Sequence, residues 1–133
     1  MSITHFQGSP VPLHGSFVEV GQKAPDFLLT RSDLADMRLA DFPEERLILN
    51  IFPSIDTPVC AASVRRFNEL AAQAPGTRVL CISRDLPFAH SRFCAADGIE
   101  NVVTLSELRN RNFGRAWGLE IAEGPLAGLL ARA

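Results

Sequence analysis

An apolar run at residues 47–52, followed by a proline turn and then a helical pattern, is the feature that most constrains the fold of this chain. The run LILNIF is almost wholly apolar, which is typical of a strand buried on both faces of a sheet. Beyond the turn, apolar residues at helical spacing over residues 61–74 predict an amphipathic helix. The sequence therefore predicts a strand–turn–helix unit, which is a building block of α/β folds.

The turn delivers a cysteine to the first turn of that helix. Thr57 is a suitable N-cap and Pro58 suits the first helical position, so Cys60 lies near the third. There the sulfur is close to unpaired backbone N–H groups and to the positive end of the helix dipole. Both favour the thiolate, which is the nucleophilic form of cysteine. Cys60 is the candidate nucleophile, and the plain alternative is a small, inert, buried cysteine.

The rest of the pattern predicts one α/β domain over residues 1–133. Gly and Pro residues among apolar ones predict an irregular N-terminal β-hairpin over residues 6–20. Short strands are predicted at 27–30, 37–39, 78–83, 102–105 and from 129, with helices over 87–96 and from a cap at Ser106 to about Arg115. This alternation predicts a central, mostly parallel sheet with helices on both faces.

Composition and charge argue against several function classes. A net charge of −2 over 133 residues gives no electrostatic basis for binding nucleic acid or an anionic membrane. No run reaches membrane-spanning length and the first ten residues lack a signal-peptide pattern, so a cytoplasmic location is expected. Three widely spaced cysteines and three scattered histidines fit neither a secreted disulfide framework nor a metal site.

The turn also carries a specific motif. Pro53, Thr57 and Cys60 form Pro-x-x-x-Thr-x-x-Cys, which resembles the active-site signature of the peroxiredoxins. The stretch 50–65 resembles one branch of them, the bacterial thiol peroxidases, which are atypical two-cysteine enzymes. Shorter matches to that branch follow in the expected order at 5–8, 23–27, 85–89, 91–94 and 124–126. The resemblance implies a thioredoxin-like fold and an antioxidant, thiol-dependent peroxidase.

The resemblance further implies roles for individual residues. Cys60 would be the peroxidatic cysteine, oxidised by peroxide to a sulfenic acid, and Cys94 the resolving cysteine that forms an intramolecular disulfide with it. Thr57 would accept a hydrogen bond from the peroxide and donate one to the sulfur, while Pro53 would shield the turn from water. Arg132 would hold the thiolate and stabilise the developing negative charge.

Substrates and partners follow from the same resemblance. It implies hydrogen peroxide and organic hydroperoxides as substrates, thioredoxin as reductant, a homodimer, and no cofactor or metal. Four apolar residues are expected around the site, where they would suit an organic hydroperoxide: Ile55, Val59, Phe88 and Trp117. The family continues beyond Arg132 with a strand pair and a last helix, so the resemblance implies that this chain is short at its C-terminus.

The other two cysteines and one arginine carry separate expectations. Cys81 lies inside an apolar strand, where burial raises the pKa of a thiol and lowers its reactivity, and it is predicted to be structural. Cys94 is predicted to lie too far from Cys60 in the reduced protein for a disulfide, so both segments must unravel. Arg84 stands where the family usually has a small residue, and it is expected to add a charge that alters substrate or reductant preference.

Two other interpretations of the sequence compete with the peroxidase. A thioredoxin-like binding module, either redox-inert or sensing peroxide for another protein, would keep the fold without the enzymatic cycle. A cysteine hydrolase would need a histidine near Cys60 as base, and His90 is the only plausible candidate.

Overall fold

A β-hairpin opens the chain, whose computed structural model describes residues 2–44 and 46–133. Strand β1 (Ile3–Phe6) pairs antiparallel with β2 (Ser9–His14). Gln7 and Gly8 join them with φ of 51° and 82°, the positive values that a tight hairpin turn needs. The hairpin is confirmed, but it begins earlier than the predicted span 6–20, because the turn is formed by Gln7 and Gly8 rather than by the prolines.

The central sheet is built from the strands that follow. They are β3 (Leu28–Arg31), β4 (Asp36–Arg38), β5 (Arg46–Ile51), β6 (Thr77–Ser83) and β7 (Val103–Ser106). Their order is β4-β3-β7-β6-β5, with β5, β6 and β7 parallel and β3 antiparallel to both neighbours. A short β8 (Glu120–Ile121) pairs with β2 and joins the N-terminal hairpin to the rest of the fold.

Helices cover both faces of the central sheet, as predicted. Helix α1 (Pro58–Ala71) connects β5 to β6, and α2 (Pro87–Asp97) connects β6 to β7. Both crossovers step across the sheet in the same direction, so the right-handed rule places both helices on one face. The side chains of β6 confirm this, since Val79 and Cys81 pack with α1 and α2 while the alternate residues face the opposite core.

A five-residue helix, α3 (Asn112–Ala116), packs on the opposite face, and the predicted helix from Ser106 is wrong. Ser106 is the last residue of β7, and its hydroxyl donates to the Asp85 carbonyl and accepts from the Leu108 amide. Glu107 is fully buried against Arg84. These contacts tie residues 106–108 to the end of β6, so the helix begins only after them.

The last residues form an irregular hairpin and then run along the edge of the sheet. In this 119–131 hairpin, the Ile121 amide donates to the Leu129 carbonyl at 2.8 Å and the Ala131 amide donates to the Leu119 carbonyl at 2.8 Å. Beyond it, Ala133 and Ile51 exchange two backbone hydrogen bonds of 2.8 and 3.0 Å. The chain therefore passes beside the C-terminal end of β5, immediately before the turn that carries the cysteine motif.

Among the described residues, no helix combines the length and the apolar character needed to cross a bilayer.

Candidate active site

Cys60 occupies the third position of α1, as the sequence predicts. Thr57 is the N-cap residue and its carbonyl accepts from the Ala61 amide at 3.0 Å, while Pro58 is the first helical residue. The Cys60 side chain is almost fully buried, with 2% of the residue exposed. It nevertheless borders a cavity, so a small molecule in that cavity reaches the sulfur without exposure of the thiol to bulk water.

Arg132 meets Cys60 at this cavity. Its Nη2 donates to Cys60 Sγ at 3.1 Å. The backbone on either side is fixed, because Ala131 bonds to Leu119 and Ala133 bonds to Ile51. A guanidinium at this distance gives a developing oxyanion a cationic hydrogen-bond donor.

The cavity has a volume of ≈ 380 Å³ and largely apolar walls. The N-terminal hairpin forms one wall and the 119–131 hairpin forms the other. The residues that line it are Thr4, His5, Phe6, Val11, Pro53, Thr57, Cys60, Ile121, Glu123, Pro125, Leu126, Ala131 and Arg132. Pro53, Thr57, Cys60 and Arg132, which were predicted to act together, therefore share one cavity whose apolar walls come from parts of the chain distant in sequence.

The apolar residues that the sequence placed around the site are not those of the cavity. Val59 and Phe88 are 66% and 64% exposed at the N-terminal ends of α1 and α2. Ile55 is buried in the core beneath α1, and Trp117 stacks on Phe113 at 5.3 Å on the other face of the sheet. That expectation was wrong because sequence spacing does not show which strands and hairpins fold over the turn.

The Thr57 hydroxyl plays one of its two predicted parts. Its Oγ1 donates to the Ser54 carbonyl at 2.9 Å, and this uses its single hydrogen. The predicted donation to the sulfur is therefore not formed, nor is a side-chain cap on α1. The oxygen lone pairs remain able to accept a hydrogen bond from a molecule in the cavity.

Asp85 anchors the turn between Pro53 and Thr57, a role that sequence reasoning missed. Its carboxylate accepts from Ser54 Oγ and from the Ile55 amide, each at 2.8 Å. Burial alone would raise the pKa of Asp85, but the donors around it lower the pKa to about 2. The signal was an acidic residue two positions beyond a buried strand, at the edge where α/β sheets place functional groups.

His90 belongs to the same network and does not touch the cavity. Ser83 Oγ donates its one hydrogen to Asp85 at 2.6 Å, so His90 Nε2, 2.8 Å from that hydroxyl, must be the donor to it. His90 is fully buried and is not among the described residues that line the Cys60 cavity. The hydrolase interpretation, which requires His90 as a base for Cys60, receives no support.

Cys94 is held apart from this site. It lies in the last part of α2, half-buried, and burial raises the pKa of its thiol, with Thr104 as its hydrogen-bond partner. Cys94 is absent from the described lining of the cavity. Cys60, Cys81 and Cys94 are all thiols in this structure. The structure thus represents a reduced protein whose proposed resolving cysteine is not at the Cys60 cavity.

Cys81 is fully buried in β6, and burial raises the pKa of its thiol to about 12. Asn50 Nδ2 donates to its sulfur at 3.7 Å. A thiol with so high a pKa stays protonated at neutral pH and is a poor nucleophile. These features support the prediction that Cys81 is structural. Across residues 2–44 and 46–133, no group of three or more His, Cys, Asp or Glu side chains is arranged to hold a metal ion.

Comparisons with known proteins agree with this geometry. The Redoxin family model matches residues 19–133. A thiol peroxidase from Corynebacterium glutamicum is 50% identical over 132 residues, which are 99% of this chain and 79% of that protein. The chain belongs to the thiol peroxidases.

Solved structures extend the likeness to three dimensions. A peroxiredoxin-like protein from Aquifex aeolicus superposes with a TM-score of 0.88 at 36% identity, covering 98% of this chain and 75% of that one. A thiol peroxidase from Chromobacterium violaceum gives 0.85 at 25% identity, with coverages of 98% and 75%. The thioredoxin-like fold is confirmed, and the protein is a thiol-dependent peroxidase that acts on peroxides. The binding-module alternative is not favoured.

Proposed function

We propose that Cys60 is the peroxidatic nucleophile of this peroxidase and that Arg132, Thr57 and Pro53 complete its site. The observation that carries the proposal is the 3.1 Å contact from Arg132 Nη2 to Cys60 Sγ at the edge of an apolar cavity. A buried thiolate needs a paired cation, and the same cation serves the leaving oxygen. The Thr57 hydroxyl accepts from the peroxide, and Pro53 covers the turn.

The first chemical step is an in-line attack of the Cys60 thiolate on the peroxide. A sulfur–oxygen bond forms and the oxygen–oxygen bond breaks, so sulfur is oxidised by two electrons and the peroxide is reduced by two. The leaving oxygen departs as hydroxide or alkoxide and takes up a proton to become water or an alcohol. The product on the enzyme is the Cys60 sulfenic acid. Arg132 stabilises the charge on the departing oxygen.

The second step is resolution by Cys94. The Cys94 thiol loses its proton and the thiolate attacks the Cys60 sulfenic sulfur; a sulfur–sulfur bond forms, the sulfur–oxygen bond breaks, and the leaving hydroxide takes up a proton to become water. A disulfide needs Cα atoms within about 7 Å, so α2 must unwind from its place against the sheet. Phe93 is the only large apolar side chain of the described helix that is buried, and two ion pairs of exposed arginines, Arg65–Asp97 and Arg92–Asp56, join α2 to α1 and the turn.

The cavity and the surface support the finer assignments of substrate and partner. Apolar walls around Cys60 suit organic hydroperoxides, and hydrogen peroxide fits the same space. A thioredoxin is the proposed reductant, because it exchanges with disulfides exposed by such unwinding. We place this cycle in the cytoplasm, where thioredoxin keeps thiols reduced. Residues 1–133 are proposed to form one domain, a proposal supported by the pairing of β2 with β8.

A homodimer is proposed on the basis of exposed apolar side chains near the site. Val59, Leu86 and Phe88 are each more than half exposed at the N-terminal ends of α1 and α2. A second copy covering them would remove apolar surface from water. Sedimentation of the reduced protein as a monomer at high micromolar concentration would exclude this assembly.

The experiment that tests the mechanism is peptide mapping after oxidation. The reduced chain is treated with one equivalent of cumene hydroperoxide, and its cysteine linkages are identified by mass spectrometry. We expect a Cys60–Cys94 bridge in the parent protein and in Cys81→Ser, which serves as the matched control. Cys60→Ser should stay reduced, and Cys94→Ser should accumulate the Cys60 sulfenic acid. A bridge that involves Cys81, or oxidation that persists in Cys60→Ser, would contradict the assignment.

A further inference from the structure

Arg84 lies at the end of β6 with its guanidinium buried, a position the mechanism above does not use. Its Nη2 donates to Glu120 at 2.6 Å, its Nε donates to Glu107, and its Nη1 donates to the Gly128 carbonyl. Arg84 is 9% exposed, and the two glutamates are 0% and 6% exposed. The charge that Arg84 adds is therefore held in a buried ion network, and its expected effect on substrate or reductant preference stays a prediction.

Arg84 forms hydrogen bonds to both arms of the 119–131 hairpin. Glu120 belongs to the first arm and Gly128 to the second, so one planar guanidinium ties the two arms together. The planar guanidinium presents several hydrogen-bond donors in a fixed geometry, which a lysine cannot reproduce. Burial alone would lower the pKa of Arg84, but the two glutamates outweigh it and raise the pKa, so the group stays charged.

The 119–131 hairpin is the element that carries Arg132 to Cys60. Ile121, Pro125 and Leu126 of this hairpin form a wall of the cavity, and Arg132 follows its last residue directly. The Gly128 carbonyl that Arg84 holds is four positions before Arg132. A shift of the second arm would move the Arg132 guanidinium relative to Cys60 Sγ.

The end of β6 holds the other half of the site as well. Asp85, the next residue, binds Ser54 and the Ile55 amide in the turn that leads to Cys60. Both Arg84 and Asp85 directly follow Ser83, the last residue of β6. At this end of the central sheet, Arg84 therefore holds the 119–131 hairpin and Asp85 holds the turn that leads to Cys60.

We propose that Arg84 is a positioning residue for Arg132, fixing the 119–131 hairpin so that the Arg132 guanidinium stays in contact with Cys60 Sγ. The proposal rests on the role of Arg132 proposed above. Arg84 is not among the described residues that line the cavity. Under this proposal it affects the rate of peroxide reduction only through the position of Arg132.

The first measurement is the second-order rate constant of the reduced protein with cumene hydroperoxide, by stopped flow. We expect Arg84→Met to lower it by about 10- to 100-fold, since misplacement by about 1 Å costs rates of that order. Arg84→Lys should restore little, because it cannot bridge the three acceptors.

Arg84→Met leaves buried Glu107 without its arginine and Glu120 with Arg115 alone, so the variant can fail to fold. The combination of Arg84→Met with Glu107→Gln and Glu120→Gln removes the charges together and keeps the shapes, so it tests the same loss in a folded chain. Arg115→Met is the matched control. Arg115 contacts the same Glu120 carboxylate at 3.1 Å, but from the solvent side and with its own side chain 62% exposed. Its rate constant should stay within twofold of the parent value.

A double-mutant cycle decides whether Arg84 acts through Arg132. If it does, the charge-neutral combination should lower the rate in the parent chain but hardly at all in an Arg132→Met background. An equal fall in both backgrounds, or no fall in the folded combination, would overturn the proposal while leaving the role of Arg132 intact. Absence of any effect of Arg132→Met alone would overturn the proposed role of Arg132, and this proposal with it.

Discussion

Individual hydrogen bonds decide what each active-site residue is able to do. Thr57 illustrates this, because its hydroxyl has one hydrogen and gives it to the Ser54 carbonyl at 2.9 Å. Its remaining lone pairs can accept a hydrogen bond, and the O–H of a hydroperoxide supplies the donor. In the proposed mechanism Thr57 therefore orients the substrate, while Arg132 stabilises the charge that develops in the reaction.

Replacing Thr57 by Val should separate the hydroxyl from the shape of the side chain. We expect the rate constant with cumene hydroperoxide to fall by about 10²-fold, since loss of a group that positions the substrate costs rates of this order. Thr57→Ser keeps the hydroxyl and should stay within about tenfold of the parent. Stopped-flow kinetics on both variants give the comparison. Equal rates for the Val and Ser variants would show that the hydroxyl does not contact the peroxide.

At the level of elements, α2 must be stable enough to fold and weak enough to unwind. It is tied to its surroundings by Arg65–Asp97 at 2.5 Å and Arg92–Asp56 at 2.8 Å, and the Arg65 guanidinium also lies 5.4 Å from the Phe93 ring centroid. Exposed pairs of this kind contribute about 0.2–1 kcal/mol each. In the proposed mechanism such pairs would slow the release of Cys94 without preventing it.

Arg65→Met removes both contacts of Arg65 with α2 and should speed disulfide formation. A loss of up to about 1 kcal/mol from the helix-bound state corresponds to at most about a fivefold faster resolution. Dimedone is added at successive times after a peroxide pulse, and the measurement is the decay of the amount of Cys60 sulfenic acid that it still traps. Arg66→Met is the matched control, because Arg66 pairs with Glu69 inside α1 at 2.9 Å and leaves α2 untouched. A rate unchanged from that control would mean that unwinding of α2 does not limit resolution.

The elements also show where sequence patterns suffice. The turn and the start of α1 were predicted closely, because a capping residue and a helical Pro are local signals. Strand β5 forms where the apolar run predicts it, but the prediction that it is buried on both faces was wrong: β5 is an edge strand with Ile48 36% exposed, because strand order depends on the whole sheet. The helix from Ser106 failed because its residues are held by Asp85 and Arg84, which lie more than 20 positions earlier in the chain. Local propensity gave way there to contacts that no short window of sequence contains.

For the whole molecule, the same distinction separates the residues of the site from the space around them. Pro53, Thr57 and Cys60 are readable from a motif, and Arg132 was placed by resemblance alone. The cavity walls depend on β2 pairing with β8 and on the 119–131 hairpin folding back on itself. Buried networks at Asp85 and Arg84 were missed because burial of a charged residue is a property of the complete fold.

Those buried carboxylates make the stability of the whole molecule sensitive to acid. The pKa of Asp85 is lowered to about 2 because its hydrogen-bond donors outweigh the effect of burial. The pKa of Glu120 is also lowered, first by Arg84 and then by Arg115, against the opposing effect of burial. A carboxylate with a lowered pKa in the folded state stabilises the fold above its unfolded pKa, about 3.9 for Asp. This stabilisation is lost as the pH falls through the folded value.

Asp85→Asn tests this coupling directly. We expect the variant to be less stable than the parent by up to about 2 kcal/mol at pH 7, because Asn keeps the shape but loses the charge. About half of that difference should be gone at pH 3, and nearly all of it below pH 2. Urea unfolding followed by circular dichroism at pH 7, 5, 4 and 3 provides the free energies. Glu69→Gln, at an exposed pair, should show a small difference that does not vary in this way. A difference for Asp85→Asn that is the same at pH 7 and pH 3 would mean that Asp85 does not hold the active-site turn as a carboxylate.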